Sequence, residues 1–303
     1  MTTTGLQCIL VPTDFSETAG HALRYASDLA RENGARLTVL YSDLFTPPID
    51  YTAVIGGWDE NSLPQMKARA EEQLQRDAEA NIDPSVLFDT VVRIAAPLLG
   101  ILSQAHESGA GLIVMGTHGR TGFRRLVIGS LAEAVMRQAE VPVITVPPRS
   151  ETTSSIKTIV CPVIYNEQCR AALTFAAQIA PPDAQFIVIR ATPAENLTDS
   201  ADDLFELRAW VPEAIASRCK LRMLGNEHVA DRIDGWAKNA HADLIVAAEP
   251  ADRTAADVLH GTFAARLVQH SECPVLTVNM PTAKVATRVT EQEERPAAVL
   301  ANQ

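Results

Sequence analysis

The chain contains one stretch of sequence twice, and that repetition limits its folds more than any other feature. Ile9-Leu10-Val11-Pro12 returns as Ile159-Val160-Cys161-Pro162, which sets Pro12 on Pro162 at an offset of 150. At that offset, with no gap, Glu17 meets Glu167, Ala22-Leu23 meets Ala172-Leu173, Ala26 meets Ala176 and Ala30 meets Ala180. Further along, the offset is 132. Leu112-Ile113-Val114 meets Leu244-Ile245-Val246, Gly129-Ser130 meets Gly261-Thr262, Pro142-Val143 meets Pro274-Val275, and Thr145-Val146 meets Thr277-Val278. The first copy therefore carries 18 extra residues in its middle (150 − 132). A tandem duplication predicts two domains of one fold, residues 1–147 and 155–280. The seam falls in the Pro-, Ser- and Thr-rich stretch Pro147–Ser155, and a polar, flexible tail covers 281–303. The 303 residues suffice for two cores, since a domain takes roughly 100–200.

Each copy alternates strand and helix signals. Cys8–Pro12 is a short apolar run of the kind that forms a buried strand. Ser16 can cap the helix that follows, whose apolar residues Ala22, Leu23, Ala26, Leu29 and Ala30 keep helical spacing until Asn33-Gly34 stops it. The first copy then reads as a strand at Arg36–Tyr41, a charged helix at Asn61–Ala80 and a strand at Val86–Val92. A helix starting at Pro97 runs to about Glu107, followed by a strand at Leu112–Met115, a helix at Ser130–Gln138 and a strand at Val141–Val146. Uncharged strands alternating with helices imply an α/β fold, a parallel sheet covered by helices on both faces.

Composition removes several function classes. The net charge is −11, and there is no basic block, so the chain is a poor general binder of nucleic acid or of an anionic membrane. The five cysteines (Cys8, Cys161, Cys169, Cys219, Cys273) show no CxxC spacing and read as reduced, buried thiols of a cytosolic protein. No His/Cys cluster has metal-ligand spacing. No targeting signal is visible, because the first basic residue is Arg24, and no apolar run approaches the roughly 18 residues of a membrane span.

In a parallel sheet of this type ligands bind at the carboxyl ends of the strands. The loops there are Thr13-Asp14-Phe15-Ser16 after the first strand and Gly116-Thr117-His118-Gly119-Arg120-Thr121-Gly122 after the fourth. Glycines in the second loop permit close backbone approach, and such a loop can turn several N–H groups toward an anion. Ser130 and Glu133 have the spacing of a capping box, and a phosphate could use the same helix N-terminus. Arg120, Arg124 and Arg125 add positive charge. Spacing alone leaves open whether these glycines serve a ligand or only turns. Neither G-x-x-x-x-G-K-[ST] nor G-x-G-x-x-G occurs, so a Walker-type NTPase and a dinucleotide-binding fold of that type are disfavoured. His118 and His21 have no identifiable partner and read as a loop histidine and a helix-surface histidine.

Gly116-x2-Gly119-x9-Gly129-Ser130 resembles the nucleotide motif G-2x-G-9x-G-(S/T) of the universal stress protein family. Val11-Pro12-Thr13-Asp14-Phe15-Ser16, Leu112–Gly119 and Val141-Pro142-Val143 supply matching context. The resemblance implies a five-stranded parallel sheet in the order 3-2-1-4-5 in each half, with adenine-nucleotide binding where the motif is kept. Carried onto this chain, it sets Asp14 and the backbone of Pro12 and Thr13 against the adenosine. Ser42 then lies beside the base, at a position where family members often carry Val. Met115, Gly116 and Gly119 border the ribose and phosphates, with Arg120 adjacent. Gly129, Ser130 and Leu131 hold the phosphates through backbone N–H groups and the Ser130 hydroxyl. The implied ligand is ATP (or ADP or AMP), with Mg²⁺ bridging phosphate oxygens.

The second copy lacks most of these residues. Ile164 stands for Asp14, Ala248 for Gly116, Ala251 for Gly119, Asp252 for Arg120 and Ala265 for Glu133. One competent nucleotide site per chain is the expectation. In family dimers the last strands of two domains often pair, so Val143–Val146 and Val275–Val278 are expected to form a pseudo-dimer within one chain, which would cover two sheet edges. The sequence leaves open whether two such chains also form a homodimer. The function expected is that of an ATP-binding stress protein acting as a nucleotide-gated regulator or scaffold. The alternatives are a slow ATPase or autokinase modifying Ser130 or a nearby hydroxyl, and an interaction module with an empty pocket.

Overall fold

The computed structural model describes residues 5–45, 62–119, 128–148, 155–192, 201–225, 229–248 and 262–278. The first half runs β1 (Cys8–Pro12), α1 (Glu17–Asn33), β2 (Arg36–Asp43), α2 (Ser62–Asn81) and β3 (Phe88–Ile94). It continues with α3 (Pro97–Glu107), β4 (Leu112–Gly116), α4 (Ser130–Gln138) and β5 (Val143–Val146). The second half runs β6 (Thr158–Val163), α5 (Glu167–Ile179), β7 (Gln185–Thr192), α6 (Ala201–Trp210), α7 (Glu213–Ala216) and β8 (Cys219–Gly225). It ends with α8 (Val229–Asn239), β9 (Leu244–Ala248), α9 (Phe263–His270) and β10 (Val275–Val278). The described strands form one ten-stranded sheet in the order β3-β2-β1-β4-β5-β10-β9-β6-β7-β8. Each half is thus a parallel sheet in the expected order 3-2-1-4-5.

The halves meet at β5 and β10, which pair antiparallel with Val275 opposite Thr145 and Thr277 opposite Val143. Two buried hydroxyls join them reciprocally. Thr145 Oγ1 donates to Val275 O at 3.3 Å, and Thr277 Oγ1 donates to Val143 O at 3.2 Å. Thr145 and Thr277 occupy equivalent positions in the two copies, so these bonds exchange under a pseudo-two-fold axis, as in an isologous dimer contact. Asn33 Nδ2 adds a bond from the end of α1 to Ile179 O at 3.1 Å. Alternate strand residues face opposite layers. Ile9, Val11, Leu37, Val39 and Val114 pack against α1 and α2, in a cluster that continues across β5 and β10 to α5. Leu10, Leu40, Ile113 and Met115 face the α3–α4 layer with Ile101, Ala132 and Val135.

Register locates the 18 extra residues. Leu37 and Phe186, the partners of Ile9 and Ile159, stand 149 apart, whereas Phe88 and Cys219, their own neighbours in the next strands, stand 131 apart. The extra sequence lies between β2 and β3, where α2 has 20 residues against 10 in α6.

Local chemistry explains the element ends. Ser16 Oγ accepts from Ala19 N at 3.2 Å and starts α1, and Gly34 ends it in the left-handed region at φ 66°. Several boundaries differ from the sequence expectation by one or two residues. β3 starts at Phe88 rather than Val86, because Val86 N closes a turn onto Asp83 O at 2.9 Å. β5 starts at Val143 rather than Val141, since Pro142 has no N–H to donate and only its carbonyl joins the ladder, accepting from Ile113 N at 3.0 Å. β2 runs on to Asp43. Residues 149–154 of the seam and the tail over 281–303 lie outside the described residues. Among the described residues no helix is long and apolar enough to cross a membrane.

Candidate functional site

The carboxyl ends of β1, β2 and β4 converge on the N-termini of α3 and α4 and leave a cavity of about 280 Å³. Ligand sites commonly span ~300–1,000 Å³, so this is at the small end. Pro12, Thr13, Asp14, Ser42, Met115, Gly116, Gly119, Gly129 and Leu131 all line it. Ser130 opens α4 with its side chain exposed and is not in the lining. Arg120, Arg124 and Arg125 lie outside the described residues.

The β1 loop is built around Asp14. Its Oδ1 accepts from Ser16 N at 3.0 Å, and Thr13 Oγ1 accepts from Phe15 N at 3.0 Å. These two bonds hold a tight turn in which Phe15 adopts φ 63°, a left-handed conformation uncommon for a side chain of this size. The Phe15 ring packs on Tyr41, with centroids 4.7 Å apart. The cost of the unusual backbone is thereby set against aromatic contact and two hydrogen bonds.

Three glycines do three different things. A Cβ on Gly116 would stand 2.8 Å from Thr18 Cγ2 and 3.2 Å from the Thr18 carbonyl, so this glycine lets α1 lie close over the end of β4. A Cβ on Gly119 would stand 2.8 Å from Asp14 Oδ2, so this glycine makes room for the carboxylate. Gly129 N donates to Thr117 O at 2.8 Å, and a Cβ there would meet that same carbonyl at 3.1 Å.

The capping box expected of Ser130 and Glu133 does not form. Gly129 is the N-cap of α4 and offers no side chain, Ser130 is the first helical residue, and Glu133 N bonds back to Gly129 O at 3.0 Å. The N-cap residue of α4 thus makes no side-chain capping bond to the first turn. In the second half Thr262, the counterpart of Ser130, is itself the N-cap of α9, and its hydroxyl accepts from Ala265 N at 3.3 Å. The helix starts one residue later there, and a threonine hydroxyl takes a first-turn donor that the N-cap residue of α4 does not.

Several lining residues escaped the motif-based reading, among them Tyr41, Asp43, Pro97, Ile101, Thr117 and His118. Asp43 is fully engaged, with Oδ2 accepting from Tyr41 Oη at 2.9 Å and Oδ1 from Phe45 N at 3.0 Å. Ser42 Oγ donates to Ala95 O at 3.0 Å, and Gly100 of α3 packs directly against it. Two carboxylates at the β1–β2 side and a helix N-terminus at the other make the cavity electrostatically lopsided. A ligand with a neutral, hydrogen-donating body and an anionic tail matches that polarity.

The equivalent region of the second half is chemically different. Ile164 replaces Asp14 and is half-exposed. Arg190 holds the place of Tyr41, donating from Nη1 to Tyr165 Oη at 3.0 Å and to Glu206 at 3.2 Å, with its guanidinium 3.8 Å over the Tyr165 ring. Cys161 is buried in β6, where desolvation pushes its thiol well above the ordinary range, a setting for an inert thiol. Among the described residues no group of three or more His, Cys, Asp or Glu side chains could hold a metal ion.

This geometry defines a class: two doubly wound α/β units sharing one sheet, with a small ligand cavity at the carboxyl edge of the first. Comparison with known proteins narrows the class. The model of the universal stress protein family matches residues 6–147 and again 155–279, and the chain belongs to that family. It is 32% identical over 138 residues to the universal stress protein MJ0531 of Methanocaldococcus jannaschii, a match covering 46% of this chain and 80% of that one. The universal stress protein Rv1996 of Mycobacterium tuberculosis is 30% identical over 138 residues, covering 45% of this chain and 42% of that one. A solved universal stress protein from Archaeoglobus fulgidus superimposes with a TM-score of 0.68 at 15% identity, over 93% of this chain and 100% of the other, a likeness of fold.

Proposed function

We propose that the first half binds an adenine nucleotide, ATP or its ADP or AMP products, and that the protein acts as a nucleotide-dependent regulator or scaffold in the stress response. One observation carries this reading: the N-terminus of α4, whose N-cap glycine offers no side chain, opens beside a cavity that is also lined by Asp14. The first-turn donors and helix dipole of α4 suit phosphate. Asp14 would repel phosphate and suits the hydroxyl and amino donors of the nucleoside. Pro12 and Thr13 then flank the base, Ser42 lies at its edge, and Met115, Gly116 and Gly119 border the ribose. Gly129, Ser130 and Leu131 meet the phosphates, with Arg120 beside them, and a Mg²⁺ ion would be carried by phosphate oxygens and water. The second half serves as the packing partner. Isothermal titration of the full chain with ATP, ADP, AMP and adenosine tests the reading. One site per chain is expected, and either no binding or two equivalent sites would refute it.

A further inference from the structure

The geometry points to His118 as a ligand-contacting residue, donating its Nε2–H to a phosphate oxygen of the nucleotide; this rests on the reading above. His118 lines the cavity, and its Nε2 is buried with no hydrogen-bond partner among the described residues. A buried ring nitrogen left unpaired is costly, and in a cavity lining a ligand that accepts its hydrogen bond removes that cost. The ring is not free to turn away. Its Nδ1 lies 2.9 Å from Oγ1 of Thr117, a residue only 1% exposed whose backbone N is tied to Val146 O.

Position assigns the contact to the phosphate end. The Thr117 carbonyl accepts from Gly129 N, and a Cβ on Gly129 would come 3.8 Å from His118 Cα. His118 therefore stands against Gly129, the residue from which α4 begins. A phosphate oxygen has no proton to give, so it selects the tautomer that carries hydrogen on Nε2, with the Thr117 hydroxyl donating to Nδ1. In the second half the counterparts of Thr117 and His118 are Glu249 and Pro250, which can supply neither the anchor nor the donor.

The test is isothermal titration of the full chain with adenosine, AMP, ADP and ATP, using wild type, His118→Ala, His118→Gln and Thr117→Val. His118→Ala should weaken ADP and ATP about 10-fold or more while leaving adenosine unchanged, and should melt with wild type in the absence of ligand. His118→Gln, whose amide N–H can take the place of the imidazole Nε2–H, should recover most of the loss. Thr117→Val should fall between them, since the ring remains but is no longer fixed. Equal ADP affinity in wild type and His118→Ala would overturn this inference alone. A loss shared equally by adenosine and ADP would also overturn it, by showing a role in shaping the cavity. If wild type binds none of the four ligands, the nucleotide reading fails and this inference with it.

Discussion

Replacing Gly116 by Ala should destabilise the protein even when no nucleotide is present. The new methyl group would sit 2.8 Å from Thr18 Cγ2 and 3.2 Å from the Thr18 carbonyl carbon and oxygen. A rotamer change could relieve the first contact, but the others are backbone and yield only if the first turn of α1 lifts off β4. Thr18 is 8% exposed, so no solvent gap takes up the movement. Overpacking a fitted site of this kind costs about 1–3 kcal/mol. Taking about 2 kcal/mol, Tm should fall by about 3 °C in a chain of 303 residues. Gly119→Ala is the contrast. Its methyl would meet only the far end of the Asp14 side chain, which can swing aside. That variant should lose less stability than Gly116→Ala, about 1 kcal/mol for loosening the Asp14–Ser16 bond, yet bind nucleotide more weakly because Asp14 has left its place. Adding Thr18→Ala to Gly116→Ala should recover part of the lost stability but not all, since the Thr18 backbone is still in the way. Thermal and urea melts of nucleotide-free protein read all four chains. Gly116→Ala melting with wild type, or full recovery in the double variant, would refute the packing role.

Two further outcomes follow from the same kind of accounting. Thr145→Val with Thr277→Val keeps shape but removes both hydroxyl bonds between the halves, so urea melts should show a combined loss of about 1–3 kcal/mol. Asp83 is held below the ordinary carboxylate range, first by the Ser85 hydroxyl and N–H and then by Arg31. A depressed native pKa gives stability that is present above the unfolded value of about 3.9 and is lost as pH falls through the native one. Asp83→Asn should therefore flatten the acid side of the stability profile and leave its slope near neutral pH unchanged, as followed by melts between pH 2 and 7.

Legibility from sequence tracked how local each determinant is. Ser16, Gly34 and Pro97 carry their own cap or start chemistry, and α1 and α3 begin or end where those residues stand. The duplication revealed two copies of one fold, and the resemblance to universal stress protein dimers, not the offset, pointed to the edge at which they join. The start of α4 was not legible. Gly-Ser and Gly-Thr look equivalent on paper, yet one places glycine and the other threonine at the N-cap. The cavity walls from Tyr41, Pro97 and Ile101 were hidden for a different reason. They come from the end of β2 and the start of α3, which the sheet order brings to the same carboxyl end as the loops after β1 and β4, with no local signature. Thr117 and His118 were visible as loop residues, but an unpaired Nε2 depends on ring orientation and exists only in three dimensions.

The two kinds of determinant also differ in what a duplicated chain must keep. Covering the β5 edge requires only that β10 present the same alternation and the same reciprocal threonine, and both halves carry it as Val143, Thr145, Val275 and Thr277. Those residues fix the pairing through backbone and one threonine hydroxyl from each half, so they work whatever lies at the carboxyl ends of the strands. The cavity residues answer to a ligand and not to the partner sheet. Ile164, Ala248 and Thr262 can therefore stand where Asp14, Gly116 and Ser130 stand without disturbing the joint. Installing Asp at 164, Gly at 248 and Gly at 251 should leave the Thr-linked seam intact, but it should not by itself create a second nucleotide site. The Thr262 hydroxyl would still occupy a donor in the first turn of α9, and Glu249-Pro250 would still lack the Thr-His pair. A second equivalent site in that triple variant, seen by titration, would show that helix capping and the Thr117-His118 pair do not separate the halves.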